Sequence, residues 1–80
     1  MPNVFRQDGF RFFFYSNEGD PREPLHVHVM GVGGEAKFWL RPEVTLADST
    51  GIDARTLRRL LATVQNNRTM IERAWHDYFA

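Results

Sequence analysis

The segment LHVHVMGVGGEAKFWL, residues 25–40, sets two imidazoles, His26 and His28, two positions apart among Val27 and Val29. Side chains two apart on a strand point to one face, so both rings share a surface if the segment is extended. Imidazole can take or give a proton near neutral pH, and its neutral form can ligate a metal ion. Arg6, Arg11 and Lys37 could stabilise an anionic phosphorane, with Tyr15 beside them, and aromatic rings such as Phe13 and Trp39 could stack on bases. With His26 and His28 as general base and acid, this inventory suffices for metal-independent RNA cleavage. A metal centre needs more than the pair supplies. A third donor must come from Glu35, Asp20, Glu23 or Asp48, none of which is fixed by spacing, and Lys37 beside His28 would repel a dication. The expectation is therefore a protein without metal or organic cofactor, metal binding through His-Val-His being the weakest alternative.

Positioning these groups requires strands. In VFRQDGFRFFFY, residues 4–15, Asp8-Gly9 lies between two β-prone runs, the strongest short-range hairpin signal. A two-residue turn there pairs Gln7 with Phe10, Arg6 with Arg11, Phe5 with Phe12 and Val4 with Phe13. Residues 16–24, SNEGDPREP, read as an acidic loop. A second hairpin follows, turning at Gly31, Gly33 and Gly34, with Met30 opposite Glu35, His28 opposite Lys37 and His26 opposite Trp39. Residues 43–48, EVTLAD, form a short fifth strand, placed at an edge by Pro42. Ile52, Asp53 and Leu57 then match a hydrophobic staple around an N-cap. Leu57, Leu60, Leu61, Val64, Ile71, Trp75 and Phe79 (or Tyr78) continue at helical spacing. A straight helix of roughly 27 residues would run about 40 Å, twice a typical strand, so a kink or break is expected near Asn66-Asn67.

These elements predict a single α+β domain, residues 1–80: an antiparallel sheet of four to five strands with one kinked helix or two helices on one face. Phe5, Phe10, Phe12, Phe14, Val27, Val29, Ala36, Phe38 and Leu40 share the covered side. Val4, Arg6, Arg11, Phe13, Tyr15, His26, His28, Met30, Glu35, Lys37 and Trp39 fall on the other, for which no second amphipathic element remains. That face is expected to be open, and an exposed patch of rings and cations marks a contact surface. Arg6 opposite Arg11 costs stability unless an anion lies between them. A homodimer seam through the same face is an alternative use of it.

Composition narrows the partners. Ten Lys or Arg balance ten Asp or Glu, so no overall field draws the chain to nucleic acid or anionic lipid. The absence of cysteine removes disulfides, thiol nucleophiles and Cys-containing zinc sites, and it fits a reducing compartment. No apolar stretch has the length of a signal or a membrane span, so a cytoplasmic protein that avoids membranes is expected. GVGG lacks the Gly-Lys-Ser/Thr ending of a phosphate loop, and no serine sits in a nucleophile elbow. Arg55, Arg58 and Arg59 read as a solvated helical turn, and His76 as a surface residue.

The opening Met-Pro, the run GFRFFFYSNEGDPREPLHVHV, the following GGEAKFWL and the ending AWHDYF together resemble, over nearly the whole chain, a family of small bacterial proteins called domain of unknown function 4160. That family's Pro-Pro-His-X-His-Val motif maps onto Pro24-Leu25-His26-Val27-His28-Val29. The resemblance implies a small sheet with C-terminal helices and genes beside a second small protein, in arrangements like toxin–antitoxin pairs. It implies no activity. Leu25 replaces the second proline, and Met30 stands where a charged residue is common, which makes the face more apolar and favours a protein partner over RNA. The function expected is recognition of a small protein encoded nearby, or of RNA or DNA, through Arg6, Arg11, Phe13, Tyr15, Lys37 and Trp39. The competing expectation is an endoribonuclease using His26 and His28.

Overall fold

Asp8 and Gly9 both take positive φ, 54° and 82°, the backbone of the two-residue turn that Asp-Gly favours. In this computed structural model, which describes residues 3–16 and 23–79, that turn joins β1 (Asn3–Gln7) to β2 (Phe10–Phe13). β3 (His26–Gly31), β4 (Gly34–Trp39) and β5 (Thr45–Thr50) follow, then α1 (Ala54–Asn66) and α2 (Arg68–Phe79). The strands lie in chain order in one antiparallel sheet. The architecture is the α+β arrangement expected, with the fifth strand present at an edge. Most of the acidic loop read over 16–24 lies outside the described residues.

The second hairpin has the expected register, His26 opposite Trp39, His28 opposite Lys37 and Met30 opposite Glu35. The first departs from it at one residue. Phe13 is paired with Asn3, not Val4, because the register shifts between Asn3 and Phe5. The extra residue is a bulge, and it turns Val4 to the apolar side, where it packs against the core. β5 also runs two residues further than expected, to Thr50, and carries its own irregularity: Lys37 pairs with Asp48 but Phe38 with Leu46.

Both helices cover one face. Phe12, Phe14, Val27, Val29, Ala36, Phe38 and Leu40 are buried beneath Leu60, Val64, Ile71 and Trp75. Asp53 caps α1 by accepting from the Thr56 amide at 2.7 Å, and hydrogen bonding from the Thr56 side chain first, then from this amide, holds its carboxyl below the ordinary range. Ile52 and Leu57 flank the cap and pack on the core, as a hydrophobic staple does. The expected break falls at Asn67, whose amide bonds the Thr63 and Val64 carbonyls. Its side-chain Nδ2 also donates to the Thr63 oxygen at 2.8 Å, so Asn67 competes for groups that a continuous helix would use. No helix among the described residues is long and apolar enough to cross a membrane.

The two turns at one end of the sheet lean on each other. Gly33 (φ 80°) and Gly51 (φ 76°) both need left-handed backbone, but a β-carbon on Gly33 would meet open space, whereas on Gly51 it would strike the Gly33 carbonyl. Gly33→Ala should therefore cost about 1–2 kcal/mol, the left-handed penalty alone, and Gly51→Ala distinctly more, as measured by urea unfolding. Glu72 joins α2 to the β4–β5 connection through Arg41 at 2.7 Å and pairs within the helix with Arg68 at 3.0 Å. Burial opposes its charge, but the bonds to Arg68 and Arg41 outweigh that and hold its pKa below the ordinary 4.5. The unfolded chain then binds the proton more readily, so the contribution is complete above the ordinary value and lost as pH falls through the folded one. Glu72→Gln should lower stability at pH 7 by no more than about 1 kcal/mol, with the difference from wild type vanishing in strong acid.

Candidate functional site

Cross-strand partners share a face, so the pairings assemble the helix-free side row by row. One row runs Asn3, Phe13, His28, Lys37, Asp48, and the next Arg6, Arg11, Met30, Glu35, Thr50. His26 and Trp39 begin a third. The residues singled out in the sequence are thus brought to one surface, and side-chain contacts link all of them except Arg6. Arg11 lies over Phe13, its guanidinium carbon 4.8 Å from the ring centre. Phe13 meets Tyr15 edge-on at 5.1 Å and His28 face-on at 5.6 Å. His28 touches Tyr15 at 4.6 Å and His26 at 5.0 Å. Trp39 stands 5.5 Å from His26 and carries the Lys37 ammonium 4.4 Å above its ring.

The openness expected of this face requires correction. Phe13 and His26 have no exposed surface, both at 0 %, and Arg11, Tyr15, His28, Met30, Lys37 and Trp39 are half-buried; Arg6 and Glu35 remain exposed. Two physical reasons are visible. Long cationic side chains lay their stems and heads across the rings, and the Trp75 ring of α2 packs 5.1 Å from that of His26. His26 also donates from Nδ1 to the Pro24 carbonyl at 2.8 Å. A carbonyl only accepts, so Nδ1 carries the proton.

The face includes a hollow of about 160 Å³ lined by Tyr15, His28, Glu35, Lys37, Asp48 and Thr50, among others, beside a second along Met30, Glu35 and Thr50. The first presents a phenol, an imidazole, an ammonium, two carboxylates and a hydroxyl, all able to exchange hydrogen bonds with a visitor. Lys37 leans toward Glu23 at 3.5 Å, while Asp48 accepts from the Ser49 amide at 2.9 Å. Of the two histidines, only His28 lines this space. Among the described residues no group of three His, Asp or Glu side chains is arranged to hold a metal ion; Asp20, considered as a third donor, lies outside them.

Thr50 was missed in the sequence, and Asp48 was weighed only as a metal donor. The expected strand stopped at Asp48, although the β-prone threonines of TLADST were a signal that it continues. Helical spacing places Trp75 in the core stripe alone, and no sequence signal reveals its contact with His26.

Because Phe13 is a fully buried ring and not a surface one, Phe13→Ala should destabilise the fold by about 3–5 kcal/mol, measured by denaturant unfolding. A cost near zero would mean that the ring is open to solvent after all.

A family model described as Domain of unknown function (DUF4160) matches residues 9–76. No curated protein and no solved structure matches the chain. The chain belongs to the DUF4160 family.

Proposed function

We propose, with membership of a family whose description names no activity as the premise, that the protein acts by recognition. Its partner is a small protein encoded nearby, in a two-gene, toxin–antitoxin-like module, and the surface used is the helix-free face of the sheet. One observation carries this reading: the face holds charges of both signs that the fold does not neutralise. Among the described residues Arg6 and Arg11 have no carboxylate partner, and Glu35 and Asp48 have no cationic one. Such groups strengthen a complex when a partner supplies the opposite charges, and they exclude partners that do not.

The presence of carboxylates as well as cations on the face favours protein over nucleic acid, because phosphate binding draws on cations alone. The covering of Phe13 and Trp39 by Arg11 and Lys37 points the same way, since bases need an open ring to stack upon. RNA cleavage keeps one observation in its favour: His28, Tyr15 and Lys37 line the same hollow, where one imidazole could act as acid or base.

Mixing the purified chain with the product of its neighbouring gene, followed by calorimetry, tests the proposal. A complex is expected, weakened at least about tenfold by Asp48→Lys with Glu35→Lys and left intact by His28→Ala. Undiminished binding by the double variant would overturn the surface assignment. Conversion of RNA to short fragments, abolished by His28→Ala, would establish the catalytic reading in its place.

A further inference from the structure

The most exposed row of the helix-free face has opposite charge at its two ends. Arg6 on β1 and Arg11 on β2 lie at one end, Glu35 on β4 and Thr50 on β5 at the other, and Met30 on β3 stands between them. Arg6 and Arg11 face each other directly across their strands, an arrangement that costs stability without a counter-charge. The fold supplies none among the described residues. The Arg11 Nε is buried without a hydrogen-bond partner, and its Nη2 reaches only the Met30 sulfur at 3.8 Å, a weak acceptor.

A pattern that is positive at one end and negative at the other is complementary to itself under one two-fold operation. When two copies stack face to face about an axis along β3, β1 of one lies over β5 of the other and β2 over β4. Arg11 then meets the second copy's Glu35, Met30 meets Met30, and Arg6 lies over Thr50. In the neighbouring row Asn3 lies over Asp48, Phe13 over Lys37 and His28 over His28. A two-fold axis across the strands does the opposite, stacking Arg11 on Arg11 and Glu35 on Glu35. Within the Arg6–Thr50 row charge therefore selects one of the two face-to-face pairings, and the selected one keeps the strands near the roughly 30° alignment that twisted sheets adopt. Such an interface is isologous, the same patch serving both copies.

We infer that this row seats a second copy of the chain, in a two-fold pair about β3 held by reciprocal Arg11–Glu35 contacts. The inference rests on the recognition reading and deepens it, for the neighbouring gene's product then competes with the second copy for one surface. The pair gives each Arg11 a carboxylate and each Glu35 a cation, neither of which it has among the described residues of one chain, and it sets Arg6 over the Thr50 hydroxyl. Each contact is made twice, so a single substitution is felt twice.

Sedimentation equilibrium of the purified chain tests this. The wild-type chain should associate to a dimer that weakens as salt rises from about 0.05 to about 0.5 M. Arg11→Glu and Glu35→Arg should each weaken the dimer at least about tenfold, since each sets like charges opposite one another. The double variant Arg11→Glu with Glu35→Arg should restore it to within about threefold of wild type, the coupling that a double-mutant cycle detects. Arg11 is half-buried, so circular dichroism checks each fold, and Glu35→Arg at an exposed position carries the test if Arg11→Glu unfolds. A chain that stays monomeric up to about 1 mM, or a dimer indifferent to Glu35→Arg, would overturn the inference. A monomer that still binds the neighbouring gene's product leaves the recognition reading standing without this one. A charge-dependent dimer that does not bind that product supports this inference alone.

Discussion

A strand has two faces, and pairing shifted by one residue exchanges them. In this sheet such a slip would carry Phe12, Val27, Val29 and Phe38 out of the core and drive Arg11, His28 and Lys37 beneath the helices. Burial of a large apolar side chain contributes about 1.5–3 kcal/mol, and an unpaired buried charge costs more than that. Register therefore determines at the same time what holds the fold together and what it offers to a partner. The Asp8-Gly9 turn pins it at the first hairpin, and the contact between the Gly33 and Gly51 turns pins it across β3, β4 and β5. The bulge at Val4 shows the constraint working in detail, since the extra residue keeps an apolar side chain on the apolar side.

The helix-free face is covered without a second layer of helices. Arginine and lysine are suited to this, having apolar stems that lie along a ring and heads that remain near water. Arg11 over Phe13 and Lys37 over Trp39 each gain cation–π attraction of about 0.5–1 kcal/mol at exposed sites and more when desolvated. The imidazole of His26 closes the cluster from the side, held by the Pro24 carbonyl and flanked by Trp39 and Trp75. The consequence for function is a change in kind. A platform of open rings would suit bases, whereas roofed rings beside unneutralised charges suit another protein.

Most of the fold was legible in the sequence because its signals are local. Asp8-Gly9 specifies its own turn, the Val-His alternation specifies a face, and Ile52, Asp53 and Leu57 specify where the first helix starts. The core followed from those periods, down to the break beside Asn66. What was not legible depends on contacts between distant segments. Whether Phe13 is exposed depends on where Arg11 and Tyr15 lay their long side chains, and no period encodes that. His26 is covered by Trp75, 49 residues along the chain. Thr50 entered the site because β5 continued past the point where its hydrophobic pattern fades, and Asp48 because the irregularity in β5 sets it opposite Lys37. The shared surface of the two imidazoles was readable; their unequal access to it was not.

The functional reading thus stands on a geometric one: that Arg11, Met30, Glu35 and Thr50 line up across four strands on the side away from the helices. Nuclear Overhauser contacts between backbone protons of paired strands measure that alignment in solution. The account predicts cross-strand contacts joining Arg11 to Met30, Met30 to Glu35 and Glu35 to Thr50. Hα–Hα or amide–amide contacts displaced by one residue, joining Arg11 to Val29 or Met30 to Ala36 in place of the direct partners, would contradict it, because they would turn the charges toward the core.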